Sequence, residues 1–140
     1  MRQIKFGMQL PSSIETDFET IAAYAAKCEE VGFDSVWVSD HILLFNGRGM
    51  YEPLTLLSAL AARTSKIGLG TAVLVPTLRN PVFLADVVGV LQKISNNRFI
   101  LGAGAGWVEP EFDNLGADFH NRGKVIDESL ALMKRLWKGE

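Results

Sequence analysis

An acid and a histidine stand side by side at the end of an apolar run in GFDSVWVSDHILL, residues 32–44. The stretch SVWV is typical of a buried strand, so Asp40 and His41 would emerge where that strand reaches the surface. Histidine ordinarily gives or takes a proton near neutral pH, and a neighbouring carboxylate can hold its charge and tautomer. The pair therefore offers proton transfer. Taken alone, it is equally compatible with a surface loop or a hydrogen-bonded core histidine.

Two glycines interrupt the next apolar run, IGLGTAVLVPTLRNP at residues 67–81. Glycine weakens a strand, and within one it often marks a bulge or a place where a backbone or ligand comes close. Tight packing of strand against helix is the better explanation of Gly68. Gly70 and the residues after it remain candidates for a bulge that contacts a ligand.

A further run, RFILGAGAGWVEPEF at residues 98–112, carries glycine at positions 102, 104 and 106. The dinucleotide fingerprint G-x-G-x-x-G would need glycine at 107, where Trp107 stands. That motif also needs a helix to begin at once and offer its N-terminus to a pyrophosphate, and none is predicted there. The sequence therefore argues against a Rossmann-type site.

The polar residues that follow these three glycines are expected to have structural and not catalytic roles. Glu109, Glu111 and Asp113 lack histidines at metal-ligand spacing, so we predict a solvated acidic loop and no metal site. His120 precedes a helical stretch and is expected at a helix start or on the surface.

Strand-like apolar runs recur at a regular interval and would position these side chains. They begin near Ile4, Ser35, Ile67 and Phe99, which are 31, 32 and 32 residues apart. Apolar residues at helical spacing fill each gap. These positions are Phe18, Ile21, Ala22, Ala25 and Cys28, then Leu54, Leu57, Leu60 and Ala61, then Phe83, Val87, Val90, Leu91 and Ile94, then Val125, Leu132 and Leu136.

The predicted helices carry start and stop signals. Thr16 or Asp17 can cap the first helix, and Gly32 can close it. Proline follows Glu52 and Asn80, which places proline at the first position of the second and third helices.

The strands SVWV, IGLGTAVLV and FILGAGA are almost continuously apolar or small, as expected of parallel strands covered on both faces. Each repeat is one βα unit, the module of a TIM barrel, whose eight units need roughly 250 residues. We therefore predict an α/β fold of four βα units. It would form a single (βα)4 half-barrel domain over residues 1–140, the N-terminal half of a (β/α)8 TIM barrel.

The composition argues against several classes of partner and location. Fourteen basic and 16 acidic residues give a formal charge of −2 without a basic block, which argues against nucleic acid and anionic membranes as partners. No apolar run reaches transmembrane length and no signal-peptide core is visible, so a cytoplasmic location is expected. Cys28 is the only cysteine, which excludes a disulfide within the chain. Trp37 and Trp137 stand at apolar positions and are expected in the core.

Together, the ordered motifs resemble the luciferase-like monooxygenase superfamily, especially its branch of oxidoreductases that depend on the deazaflavin coenzyme F420. The resemblance rests on GFDSVWVSDH, IGLGTAVLVPTLRNP and NRFILGAGAGWVEPEF, followed by Gly116, Arg122, Glu128 and LMKRLW. It implies a (β/α)8 barrel that binds F420, or FMN in sister branches, at the mouth formed by the C-terminal ends of the strands.

The resemblance also implies roles for individual residues. His41 would act as acid or base beside the cofactor ring while hydride moves, and Asp40 would help to fix the ring and the histidine. The ring would lie against a bulge containing a non-prolyl cis peptide between Ala72 and Val73. The residues implied to contact the cofactor are Gly70, Thr71, Ala72, Val73, Gly104, Ala105 and Gly106.

Two positions depart from the sugar-phosphate dehydrogenases of this family. There, a glutamate follows the glycine-rich strand and a tryptophan lies just beyond the Asp-His pair. Trp107 and Leu44 take these places here, which argues against a sugar-phosphate substrate.

Two functions stay open. The first is an F420- or FMN-dependent oxidoreductase that transfers hydride to or from a small organic substrate, with its site completed by a second copy or by a complementary half-barrel chain. The second is a non-catalytic half-barrel that acts as a structural or assembly fragment. Four parallel strands leave two edges, at residues 4–9 and 99–103, so we expect a homodimer whose eight strands close a ring.

Overall fold

The computed structural model of the protein describes residues 4–42, 44–45 and 48–140. A parallel sheet covered on one face by helices organises the chain. The strands are β1 (Gly7–Gln9), β2 (Ser35–Val38), β3 (Leu44–Phe45), β4 (Arg48–Gly49), β5 (Gly68–Thr71) and β6 (Phe99–Ile100). The helices are α1 (Phe18–Glu30), α2 (Pro53–Ala61), α3 (Pro81–Ile94), α4 (Glu109–Leu115) and α5 (Arg122–Leu136), with a 3-10 turn at Pro76–Leu78.

The sheet has the strand order β1-β2-β5-β6, and each neighbouring pair is parallel. Ser35 pairs with Gly7 on one side and with Gly68 on the other, so successive βα units lie in register. The predicted α/β fold with four βα units is thereby confirmed. β3 and β4 form a separate antiparallel hairpin between β2 and α2, which the sequence did not predict.

Three helices begin where the sequence placed their start signals. Asp17 caps α1 by accepting a hydrogen bond from Thr20 N at 2.9 Å. Glu52 caps α2 and Asn80 caps α3, each followed by a proline in the first turn. Gly32, just beyond the end of α1, has φ +90°, a conformation that glycine adopts readily.

The core lies between the sheet and the helices. Val36, Val38 and Leu69 point to this side from the two central strands and are fully buried. The helices contribute Ile21, Ala25, Leu57, Leu60, Leu84, Leu91 and Met133. Burying a large aliphatic side chain stabilises a fold by about 1.5–3 kcal/mol, so this side of the sheet holds the domain together.

The opposite, inner face of the sheet carries small residues beneath a large aromatic ring. The indole of Trp37 lies across Gly7 and Gly70, and a Cβ on either glycine would collide with it. Its Nε1 donates a hydrogen bond to Ser35 Oγ at 2.9 Å. Trp37 is therefore half-buried on the inner face instead of in the helix-side core, and the ring gives Gly70 a packing explanation.

The acidic segment after β6 is a helix, so the prediction of a solvated loop is wrong. Pro110 stands in the first turn of α4, and Gly116, with φ 64°, ends the helix in the left-handed conformation. Phe112 anchors α4 with a fully buried side chain, and its neighbour Glu111 is only 7% exposed. The burial of Phe112 therefore turns Glu111 towards the interior.

Other expectations have mixed outcomes. Trp137 is not a core residue, because it is 45% exposed and donates from Nε1 to Ala85 O at 2.9 Å across the α3–α5 contact. His120 lies on the surface just before α5, as predicted. The side chain of Leu44 lies outside the described part of the chain. Within the described ranges, none of the helices is long and apolar enough to cross a membrane.

Candidate active site

β5 ends in a bulge whose Ala72–Val73 peptide bond is cis. This confirms the backbone feature that the resemblance implied. Regular pairing stops at Thr71 and returns only at a parallel bridge between Leu74 and Ala103. The bulge leaves Val73 46% exposed at the C-terminal end of the sheet.

The glycine-rich segment after β6 holds this bulge. Gly102 O accepts hydrogen bonds from Thr71 Oγ1 at 2.8 Å and from Leu74 N at 2.7 Å, and Gly104 N donates to Leu74 O at 2.8 Å. A Cβ on Gly102 would collide with Thr71 O, and one on Gly104 would lie 2.6 Å from Val73 Cγ2. The close approach predicted from these glycines is present, and the group that comes close is the bulge of the neighbouring strand.

Gly106 turns the chain from the end of the sheet into the segment that leads to α4. Its φ is +82°, and a Cβ there would lie 2.8 Å from both Val75 Cγ1 and Phe112 Cζ. Its carbonyl oxygen accepts a hydrogen bond from Arg122 Nε at 3.1 Å. Conformation and space both require glycine at this position.

Asp40 ties the bulge to the end of β2. Its carboxylate accepts from Val75 N at 2.7 Å and from both terminal nitrogens of Arg79, at 2.6 Å and 2.9 Å. Arg79 also reaches Glu52 at 3.1 Å. Burial opposes the charge on Arg79, but hydrogen bonding and attraction to Asp40, with a smaller contribution from Glu52, outweigh it and raise the pKa of the guanidinium. Asp40 therefore fixes the backbone next to the cis peptide.

His41 is held by a different carboxylate. Its Nδ1 lies 3.0 Å from Glu111 Oε1, and the same oxygen accepts a hydrogen bond from Ile42 N at 3.1 Å. The side chains of His41 and Glu111 are 14% and 8% exposed. The sequence assigned the fixing of His41 to Asp40 and placed Glu111 in solvent. The structure corrects both assignments, because Asp40 is bonded to Arg79 and α4 carries Glu111 inward.

A cavity of about 200 Å³ opens between these groups. The indole of Trp107 stands at its entrance, 70% exposed, with its ring 6.2 Å from the His41 ring in an edge-to-face arrangement. The cavity is lined by Ser39, Asp40, His41, Ala72, Val73, Val75, Gly106, Trp107, Val108 and Glu111. It combines an apolar wall with an imidazole and carboxylate pair, an arrangement suited to moving a proton next to an apolar ligand.

The residues implied to contact the cofactor divide into two groups. Ala72, Val73 and Gly106 line the cavity together with the predicted catalytic pair. The others support the wall or lie apart from it. Thr71 and Gly104 hold the bulge by hydrogen bonds, Ala105 O accepts from Thr77 Oγ1 at 3.2 Å, and Gly70 packs against Trp37. Their roles toward a cofactor stay predictions.

Arg79 and the inward position of Glu111 are the features of the site that the sequence did not predict. A usable signal existed for Glu111, since residues that follow β6 reach the same edge of the sheet as those that follow β2. Its position next to Phe112, a strongly apolar residue inside an acidic stretch, also indicated a helix with a buried side. Arg79 gave no comparable signal in the sequence.

Comparison with known proteins assigns the chain. The family model described as luciferase-like monooxygenase matches residues 4–140. An F420-dependent glucose-6-phosphate dehydrogenase of Amycolatopsis mediterranei is 39% identical over 126 residues, covering 86% of this chain and 38% of that one. A 5,10-methylenetetrahydromethanopterin reductase of Methanolobus tindarius is 39% identical over 120 residues, covering 86% and 35%. The solved structure of monooxygenase RslO1 from Streptomyces bottropensis has a TM-score of 0.86 at 30% identity, covering 96% and 43%.

The chain thus spans 35% to 43% of the length of these proteins. Its structural neighbours are TIM-barrel luciferase-like monooxygenases, in agreement with the four parallel βα units described above. By sequence and by structure, the chain belongs to the luciferase-like monooxygenase family.

Proposed function

We propose that this chain carries the proton-transferring part of an oxidoreductase site in which hydride passes between coenzyme F420, or alternatively FMN, and a small organic substrate. The observation that carries the proposal is His41, held by buried Glu111 at the wall of a cavity whose other side is the Ala72–Val73 bulge. Membership of the family supports it, because one similar relative is an F420-dependent dehydrogenase and one structural neighbour is a monooxygenase.

The cavity wall suits part of a planar ring system. Ala72, Val73, Val75 and Val108 offer an apolar surface, and Trp107 adds an aromatic face that is largely exposed. The volume of about 200 Å³ is below the roughly 300–1,000 Å³ of pockets that enclose a drug-sized ligand. These residues would therefore hold one portion of the ring.

The chemistry divides between the bound group and the protein. When bound, the deazaflavin or flavin supplies the hydride acceptor or donor. For an alcohol substrate, His41 would take the hydroxyl proton as hydride leaves the adjacent carbon, so that a carbonyl forms. In the reverse direction, His41 would return the proton to the oxygen. Asp40 and Arg79 would keep the apolar wall in place without exchanging protons with the substrate.

The position of Trp107 bears on the substrate. It stands beside His41, where the family's sugar-phosphate dehydrogenases have a glutamate by the resemblance described above. An indole at the entrance offers apolar contact in place of a carboxylate. We therefore propose a small organic alcohol or carbonyl compound with an apolar portion, and not a sugar phosphate.

Cofactor binding tests the proposal. Purified protein is titrated separately with F420 and with FMN, and absorbance and fluorescence are recorded. We expect saturable binding of one of them, and weaker binding after Val73→Trp, which fills the cavity wall. Val82→Trp is the matched control, since Val82 is a similarly exposed valine on α3 away from the cavity. If neither cofactor binds, the non-catalytic half-barrel becomes the better account.

A further inference from the structure

We propose that Glu111 is the positioning residue of His41: its carboxylate fixes the imidazole in the tautomer with the proton on Nδ1, which makes Nε2 the proton-accepting nitrogen. The use of Nε2 in turnover rests on the proposed function, whereas the tautomer itself does not.

The hydrogen bonds around Glu111 Oε1 decide the direction of the bond to His41. Ile42 N lies 3.1 Å from this oxygen, and a backbone amide can only donate, so Oε1 is an acceptor there. His41 Nδ1 lies 3.0 Å from the same oxygen. An ionised carboxylate has no proton to give, so the proton in the second bond belongs to Nδ1. A neutral imidazole then presents an unprotonated Nε2.

The fold holds Glu111 firmly enough to impose this choice. The next residue, Phe112, is fully buried and packs edge-to-face on Phe119 with ring centroids 5.2 Å apart. Upstream, Gly106 makes the positive-φ turn into α4, and Arg122 holds its carbonyl oxygen at 3.1 Å. The carboxylate is therefore delivered from a short helix that is anchored on both sides.

The other carboxylate of the cavity is already engaged. Both oxygens of Asp40 accept hydrogen bonds from Arg79, and one of them also accepts from Val75 N. Its charge is balanced by a guanidinium within 3 Å. Glu111, whose oxygen is shared between His41 and the backbone of Ile42, is thus the acid in a position to select the tautomer.

The tautomer can be observed directly. In ¹⁵N-labelled protein, two-bond ¹H–¹⁵N spectra of the histidine rings distinguish Nδ1–H from Nε2–H once the rings are neutral. The sequence contains two histidines, so a His120→Gln variant assigns the His41 signals. We expect Nδ1–H for His41, whereas the Nε2–H form predominates for free histidine in water. An Nε2–H pattern in the wild-type protein would overturn the proposal.

Substitutions sharpen the test. Glu111→Gln keeps an acceptor oxygen and should retain the Nδ1–H pattern, while Glu111→Leu removes it and should shift His41 to the Nε2–H form. Glu109→Leu, at a glutamate of the same helix whose side chain is 52% exposed and lies near His120, should leave the His41 pattern unchanged. An unchanged His41 pattern in folded Glu111→Leu would also refute the proposal, and if that variant does not fold, the wild-type spectrum decides alone.

The spectra need neither cofactor nor substrate, so the two proposals can fail separately. A wrong tautomer leaves the cofactor titration untouched. If no cofactor binds, the histidine spectra can still be interpreted.

Discussion

The loops at the C-terminal end of the sheet and the two edge strands differ in how fully their polar groups are hydrogen-bonded within the chain. In the loops, Asp40, His41, Arg79 and Glu111 form hydrogen bonds with one another and with the backbone, and within the described residues no buried side-chain nitrogen or oxygen is left without a partner. The edge strands β1 and β6 have a neighbour on one side each. Among the described residues, the buried polar side chains of the site therefore have partners within this chain, whereas β1 and β6 each pair along one side only.

The edges are also apolar. Ile4, Phe6 and Met8 lie along the β1 edge with exposures of 77%, 64% and 40%, and Ile100 on β6 is 42% exposed. An unpaired strand edge with exposed apolar side chains invites pairing with another chain. Substitutions in the loops should therefore affect the site and its stability, whereas substitutions at the edges should affect assembly.

The largest effect is expected from charges at the edges. We propose that two copies pair β6 of one with β1 of the other around a two-fold axis and close a ring of eight strands. Light scattering at micromolar concentration should give twice the 15.4 kDa of one chain. Phe6→Lys combined with Ile100→Lys should abolish that species, because each copy would bring charges to both seams.

Phe83→Lys is the matched control, since Phe83 is 69% exposed on α3, which packs between α2 and α5 and not at an edge of the sheet. A stable monomer in the wild-type chain would contradict the proposed dimer. Loss of the His41 tautomer pattern in the edge variant would contradict the separation of site from assembly.

The next effect concerns chemistry alone. If the protein turns over a substrate, His41→Ala should lower kcat by about 10²–10⁴-fold, the usual contribution of general acid or base catalysis. Cofactor affinity and particle mass should change little. His120→Ala, at an exposed histidine, serves as the control. Unaltered turnover in His41→Ala would assign His41 a structural role.

Asp40→Ala tests the loop network as a source of stability. The change leaves the guanidinium of Arg79 largely buried and without its main partner, and breaking such a pair costs about 3–5 kcal/mol. Urea unfolding at one fixed protein concentration measures this cost.

Glu19→Ala removes the partner of Arg63 from an exposed ion pair and should leave the midpoint nearly unchanged. Equal effects of the two substitutions would contradict the assignment of Asp40 as the residue that fixes the bulge.

The smallest effect is expected at a single glycine. In Gly104→Ala, the new Cβ would meet Val73 Cγ2 at 2.6 Å, and such overpacking costs about 1–3 kcal/mol. Gly89→Ala in the interior of α3 meets no atom within 4 Å and should stabilise the chain by up to about 1 kcal/mol. Opposite shifts in the thermal midpoint are expected, and a stabilising Gly104→Ala would show that the bulge can move away.

Local patterns accounted for the scaffold. The spacing of apolar runs predicted the strands, and Asp17, Pro53 and Pro81 predicted where helices begin, because capping and proline geometry act over a few residues. The site was predicted in part. His41 and the Ala72–Val73 bulge were placed correctly by strand ends and resemblance.

The partners of those residues were not predictable in the same way. Glu111 reaches His41 from another βα unit, and Arg79 reaches Asp40 across the sheet edge. Such contacts depend on how the loops fold back together, which neither periodicity nor composition records. Asp40 is next to His41 in the sequence, but this adjacency did not indicate which carboxylate holds the imidazole.

The indole of Trp37 across Gly7 and Gly70 gives the chain a built-in optical reporter. It rests half-buried on the inner face, near the β1 edge, while Trp107 stands at the cavity entrance. If two copies close a ring of eight strands, Trp37 would be shielded from solvent and its emission would shift to shorter wavelengths. A chromophore bound at the cavity would quench Trp107 most strongly, because this indole stands at the cavity entrance. A variant that keeps only Trp37 and a variant that keeps only Trp107 would then report ring closure and chromophore binding separately.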